Sequence, residues 1–284
     1  MTQSPHSSAC LIAPLAVVCL AALPGCGPSL ESHSALERLK AVDEIEEQTV
    51  LAKVALGDPS ASVQKRAAGK LRDPRLLADV ILDSDSSSIR KQCLSSLTEP
   101  EQLLRVALED KRSPPWASAL NKLTDPVHIA RVATGAKRSD VRRSAVIRAS
   151  DPAVLARVAS TDESSEVRSA ALDKVSDPAV LASTATEDPD EAIRLSVLER
   201  IADPAVLAQV AIEDPNAAVR KAVLPRLRDP ATLARILSGD SDAGIRLTAL
   251  ERITDPTAVT HAALNDSSPL VRAAAVKKLQ DRKL

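Results

Sequence analysis

Apolar and polar positions recur along this chain with a period of 26 residues. An Asp-Pro or Glu-Pro pair opens each period from Asp73 onward, and the register extends back to Glu47 and forward to Gln280. Numbered from the acidic residue, each unit is mostly apolar at positions 5, 6, 8 and 9 and again at positions 17, 21, 22 and 25. Both spacings place the apolar residues on one face of an α-helix. Each unit therefore predicts two amphipathic helices joined by a turn.

The acidic residue and the proline indicate where the first helix of each unit begins. Asp or Glu occupies position 1 in all nine units, and proline follows it in eight. An N-cap aspartate accepts a backbone N–H, and proline at the first helical position loses no hydrogen bond. Position 12 is aspartate in seven units, and proline follows it in three, so we expect the same capping to begin the second helix. These seven aspartates are Asp58, Asp110, Asp162, Asp188, Asp214, Asp240 and Asp266.

Constant spacing predicts an all-α protein, a right-handed α-solenoid of nine 26-residue helix–turn–helix repeats. The repeats would occupy residues 47–280 and start at 47, 73, 99, 125, 151, 177, 203, 229 and 255. Residues 34–46 match only the second half of a unit and predict an N-terminal capping helix, while residues 281–284 form a tail. Because no comparable cap follows Gln280, we expect the last face to be exposed or used for self-association.

The first 25 residues predict a signal peptide, with an uncharged apolar run over residues 10–23. The sequence Leu23-Pro24-Gly25-Cys26 resembles the bacterial lipobox. This resemblance implies that Cys26 is lipidated as the mature N-terminus and that residues 26–33 form a short tether. The protein would then be exported and lipid-anchored to a bacterial membrane, on its periplasmic or surface face. The alternatives are a cleaved secretory peptide without lipid and an uncleaved anchor.

Composition excludes several kinds of partner and site. The net charge is -1 and the pI is near 6.5, and the chain has no Phe, no Tyr and one Trp. These values disfavour nucleic-acid binding, which uses basic surfaces and aromatic stacking. Cys93 is the only cysteine beyond residue 26, so no disulfide framework can form within the repeats. We expect Cys93 to be a small buried apolar residue.

Position 18 is arginine in seven units and follows an apolar β-branched residue at position 17. The string D-x-x-x-x-[VI]-R resembles HEAT-like repeats, and the 26-residue unit is also similar to the bacterial leucine-rich repeat variant. The resemblance covers residues 47–280 and implies that these Asp and Arg side chains form a structural ladder within and between repeats. A catalytic or ligand-binding groove is the alternative. The implied ladder residues are Asp162, Arg168, Asp188, Arg194, Asp214, Arg220, Asp240, Arg246, Asp266 and Arg272.

Position 24 is Lys or Arg in eight units. Such a basic row is compatible with nucleic-acid binding, but the last turn of a helix is also where a cation offsets the helix dipole. We favour the dipole interpretation, because acidic residues at the helix starts balance these charges.

The third and fourth units depart from the pattern together. Trp116 replaces the arginine of position 18 in the third unit, and Ala136 replaces the aspartate of position 12 in the fourth. Only these units have basic residues at positions 13 and 14, so stacking would bring four cations together beside the tryptophan. We predict that these residues form a patch that binds an anionic group of a partner. The alternative is that Trp116 only fills space in the core. Its residues are Lys111, Arg112, Trp116, Lys137, Arg138, Arg142 and Arg143.

The sequence contains no serine-nucleophile elbow, P-loop, dinucleotide fingerprint or HExxH motif. We therefore predict no catalytic, cofactor-binding or metal-binding residues and no enzymatic activity. The favoured function is a non-catalytic protein-binding or scaffolding solenoid, lipid-anchored in the bacterial cell envelope. The main alternative is a self-associating structural accessory of the envelope. A remote alternative is an enzyme or enzyme regulator of the HEAT-like bilin-lyase type.

Overall fold

A computed structural model of the chain describes residues 29–110 and 115–281. These residues form nineteen α-helices, two short 3-10 segments at Leu198–Arg200 and Leu224–Arg226, and no strand. The helices are α1 Ala35–Glu44, α2 Gln48–Gly57, α3 Ala61–Lys70, α4 Pro74–Asp83, α5 Ser87–Ser96, α6 Pro100–Glu109, α7 Pro115–Lys122, α8 Pro126–Gly135, α9 Ser139–Arg148, α10 Pro152–Thr161, α11 Ser165–Leu172, α12 Pro178–Glu187, α13 Glu191–Val197, α14 Pro204–Glu213, α15 Ala217–Val223, α16 Pro230–Gly239, α17 Ala243–Arg252, α18 Pro256–Asn265 and α19 Pro269–Asp281.

The helices pack in two layers. From α2 onward, each even-numbered helix packs against the odd-numbered helix that follows it, and helices of the same parity contact their counterparts in the neighbouring pairs. Aliphatic side chains from both layers form one continuous core along the stack. The arrangement confirms the predicted all-α solenoid. Its stability depends on contacts between neighbouring helix pairs, because helices of about ten residues are marginal alone.

Local capping explains where seven of the nine even-numbered helices begin. The Asp73 carboxylate accepts hydrogen bonds from the N–H groups of Arg75 (2.8 Å) and Leu76 (3.2 Å), with Pro74 as the first helical residue. Equivalent aspartates cap α8, α10, α12, α14, α16 and α18, as the sequence predicts. Glu99 precedes Pro100 at the start of α6 without a side-chain cap bond.

The prediction for the odd-numbered helices was wrong. The aspartate of position 12 does not begin the second helix of the unit. Asp188, for example, is the C-cap of α12, and the N-cap of α13 is Asp190 at position 14. One Asp188 oxygen accepts the N–H of Asp190 (2.8 Å), and the carboxylate also reaches the preceding repeat. The carboxylate thus orders the turn and joins two repeats.

Cys93 is fully buried in the core, as expected for a small apolar residue. Burial raises the pKa of its thiol to about 12, so the thiolate is scarce at neutral pH.

Candidate functional site

Arginines at position 18 link consecutive repeats through paired hydrogen bonds. Arg168 donates from Nε and Nη2 to the Asp188 carboxylate, at 2.7 and 2.8 Å, and from Nη1 to the backbone oxygen of Asp162 (2.9 Å). The carboxylate contact is between repeats, and the contact within the repeat is made to a carbonyl. We call this set the arginine–aspartate ladder; its pairs are Arg38–Asp58, Arg142–Asp162, Arg168–Asp188, Arg194–Asp214, Arg220–Asp240 and Arg246–Asp266.

The ladder pairs are buried and mutually satisfied. In each pair the guanidinium and the carboxylate meet as a planar fork, the geometry that makes such bonds strong. The hydrogen bond from Arg246 holds the pKa of Asp266 below its usual range, against an opposing effect of burial. Because the facing donors and acceptors satisfy one another, the arrangement supports a structural role for the ladder. Among the described residues, Arg272, the last arginine in the row, donates only to the backbone oxygens of Asp266 (2.7 Å) and Ser267 (3.2 Å).

The cations of position 24 form a second row of inter-repeat contacts. Lys122 in α7 donates from Nζ to the carbonyl oxygens of Leu94 (2.6 Å) and Leu97 (2.9 Å) at the end of α5. Each cation therefore caps the odd-numbered helix of the preceding repeat as well as lying at the end of its own. Sequence reasoning missed this contact, although the constant base at position 24 was visible. The row comprises Lys70, Lys122, Arg148, Lys174, Arg200, Arg226, Arg252 and Lys278.

The ladder is continuous only from Arg142 to Asp266. Gln64 and Ser84 replace its residues at the first boundary between repeats, and Trp116 and Ala136 replace them at the third. At the second boundary, no ion pair joins the described residues Arg90 and Asp110, and the Arg90 guanidinium donates to the backbone oxygen of Ser84 (3.2 Å). The interruption predicted at Trp116 therefore lies at the edge of a wider region with few ladder pairs.

Trp116 is a core residue, with 9% of its surface exposed. The guanidinium carbon of Arg138 lies 6.0 Å from the centroid of the indole ring, within the range of a cation–π contact. Arg138 also donates to both Asp140 carboxylate oxygens, at 2.9 and 2.6 Å. The structure thus brings Arg138 to Trp116 but offsets its charge with a neighbouring carboxylate.

The remaining residues of the predicted patch do not share one surface. Arg142 is buried in the ladder, where Asp162 binds its guanidinium, so its charge is already offset. Arg143 is exposed on the odd-numbered layer, beside a cavity that Glu166 and Asp173 also line. Lys137 is exposed on the other side, at the end of α8. Lys111 and Arg112 lie outside the described residues, so the predicted four-cation cluster stays a prediction.

A groove of about 550 Å³ lies between the ends of α8 and α10, and we call it the Lys137 groove. It is lined by Thr134, Gly135, Ala136, Lys137, Arg142, Arg157, Val158, Thr161, Asp162 and Glu163. The charges of Arg142 and Asp162 cancel, which leaves Lys137 and Arg157 against Glu163. Chemically, this groove suits a short acidic group more than a basic one. Arg157 was missed, because position 7 varies too much among the units to stand out.

The predicted lipidation site, Cys26, lies outside the described residues, as does the whole predicted signal peptide. Among residues 29–110 and 115–281, no helix is long and apolar enough to span a bilayer. The same part of the chain has no group of three or more His, Cys, Asp or Glu side chains placed to hold a metal ion.

Comparison with known proteins assigns the chain to no family: no protein-family model matches it, and no curated protein shows significant sequence similarity to it.

Proposed function

We propose that this protein is a non-catalytic, HEAT-like solenoid that binds an acidic segment of another protein while lipid-anchored through Cys26 in the bacterial cell envelope. The observation that carries the binding proposal is the Lys137 groove, which lies one helix pair beyond the Trp116–Arg138 contact. The anchor rests on the Leu23-Pro24-Gly25-Cys26 sequence.

The geometry favours a short acidic peptide segment as the ligand. Lys137 is exposed and Arg157 is also at the surface, so both can pair with carboxylates without losing a ladder contact. Glu163 would oppose a densely charged ligand such as a phosphate, because its carboxylate is 85% exposed at the same groove.

The test is photo-crosslinking in cells with the cross-linker at Ser139, combined with charge reversal of the groove. We expect a protein adduct with the native chain, and loss of the adduct in the double variant Lys137→Glu and Arg157→Glu. The matched control is Arg235→Glu with Lys221→Glu, since Arg235 occupies the position of Arg157 three repeats later. An adduct that survives the groove variant, or one formed only with lipid, would overturn the acidic-segment proposal.

The anchor is tested separately by metabolic labelling with a fatty acid. The native chain should carry the label, and Cys26→Ser should lose it. A label that persists in Cys26→Ser would refute lipidation at this residue.

A further inference from the structure

The outer face of the last helix pair exposes apolar surface that the other repeats bury. At position 22 the side chain is at most 4% exposed in each of the eight preceding repeats, whereas Val276 is 42% exposed. Leu264 at position 10 is 73% exposed, whereas Leu56 at the same position of the first repeat is 37% exposed and Leu108 is partly buried against the core. Among the described residues, no helix pair packs on this face, which resembles the faces that meet between repeats elsewhere in the stack.

The ladder also ends here with unused donors. Arg246 binds Asp266 through Nε and Nη2 (both 2.9 Å). In Arg272 these two groups have no carboxylate acceptor among the described residues, although Nη1 makes the usual bond to the Asp266 backbone oxygen (2.7 Å). Arg272 is therefore oriented by its own repeat as the other ladder arginines are.

At the other end of the stack, a carboxylate lies beside the complementary ladder position. Arg38 in α1 donates from Nη1 to the backbone oxygen of Ser32 (2.8 Å), which places Ser32 where other repeats have the ladder aspartate. The Ser32 hydroxyl donates to Oε2 of Glu37 (2.5 Å), and Glu37 is exposed. The Glu37 carboxylate is thus held next to the site where an arginine of a preceding repeat would bind.

We propose that two copies of this chain associate head to tail, with the α18–α19 face of one copy on α1 of the next. Arg272 would donate to Glu37 of the second copy and extend the ladder across the contact, and α1 would cover Val276. Charge disfavours contact between two N-terminal ends, because residues 31–47 contain six acidic and two basic residues. Residues 255–281, which include both helices of the α18–α19 face, contain three basic and three acidic residues, so this face does not repel the acidic end. A head-to-tail contact is heterologous, so it produces rings or open chains.

This proposal goes beyond the proposed function and uses a different surface. Groove variants at Lys137 should leave association intact, and end-face variants at Arg272 should leave capture of the partner intact. The failure of one proposal therefore does not imply the failure of the other.

Charge exchange in the full-length chain, purified in detergent, tests the contact. By sedimentation, the native chain should form concentration-dependent species larger than a monomer. Arg272→Glu and Glu37→Arg should each weaken association by about 30-fold or more, because each opposes like charges at the contact. The chain carrying both changes should regain association, since the pair is restored with its sign reversed. Circular dichroism melting should show that all three variants keep the fold.

Disulfide trapping gives the orientation. Lys40 is an exposed residue of α1. A chain with Val276→Cys and Lys40→Cys should form disulfides between residues 276 and 40 of different copies, which peptide mass mapping distinguishes from disulfides of the native cysteines. A monomeric native chain, failure of the charge exchange to restore association, or links joining 276 to 276 would each overturn the head-to-tail contact.

Discussion

Removing one carboxylate from the middle of the ladder should destabilise the solenoid far more than removing an exposed one. Asp214 is the best position for this change, because its side chain is 1% exposed. It accepts hydrogen bonds from Nε (2.7 Å) and Nη2 (3.0 Å) of Arg194 and from the N–H of Asn216 (2.8 Å). In Asp214→Ala the Arg194 guanidinium would stay buried with only the backbone oxygen of Asp188 as an acceptor.

The expected loss follows from the uncompensated charge. Breaking a buried ion pair by removing one partner costs about 3–5 kcal/mol of the free energy of unfolding, because the other charge remains desolvated. Replacing both Arg194 and Asp214 with leucine should cost less than Asp214→Ala alone, since no buried charge is left. The exposed pair Arg66–Asp43 (3.1 Å) provides the control, and Asp43→Ala should cost less than about 1 kcal/mol.

Urea unfolding followed by far-ultraviolet circular dichroism measures these losses as shifts of the midpoint. Since helix pairs contact mainly their neighbours, hydrogen exchange should also show the largest loss of protection in α13–α15. If Asp214→Ala costs no more than Asp43→Ala, or if the double leucine variant is the least stable of the set, the structural interpretation of the ladder is wrong.

Three further predictions concern the second row of contacts, acid and the core thiol. Lys174→Met should lower the free energy of unfolding by about 1–2 kcal/mol, because carbonyl groups at the end of α9 lose their charged donor; an unchanged urea midpoint would contradict this. The Arg246 hydrogen bond lowers the pKa of Asp266 in the folded state, so this stabilisation is complete above the unfolded value near 3.9 and is lost as the pH falls through the lower folded value. The urea concentration at the unfolding midpoint should therefore decrease when the pH is lowered below about 4, and this decrease should be smaller in Asp266→Asn. An equal decrease in both proteins would contradict the role of Asp266. Alkylation should modify Cys93 only when urea unfolds the chain, because burial raises the pKa of its thiol to about 12. Peptide mass mapping measures the labelling, and equal labelling of Cys93 without urea would contradict its burial.

Several features were predictable from the sequence because they depend on neighbours a few residues away. Asp73 and Pro74 begin α4 through contacts within one helical turn, and the same pair recurs along the chain. The apolar spacing identified the buried faces of both layers. The departure at Trp116 was also visible, since a regular repeat makes an exception easy to recognise.

The errors concern side chains whose partners are far away in the sequence. Asp188 looked like a local helix cap, but its carboxylate is occupied by Arg168, twenty residues earlier. In the sequence Arg142 resembled a surface cation, but its guanidinium is buried and binds Asp162, which is also twenty residues away. A local pattern carries no information on which of several polar partners a long side chain will reach.

The sequence by itself determined the helices, their order and the all-α solenoid, because capping and apolar periodicity act over one or two turns. Only the tertiary structure decided which charged side chains form buried ion pairs between repeats and which remain at the surface. The physical reason is burial: stacking places an arginine and a carboxylate from adjacent repeats together away from water, where each must bind the other, while Lys137, Arg157 and Glu37 stay accessible.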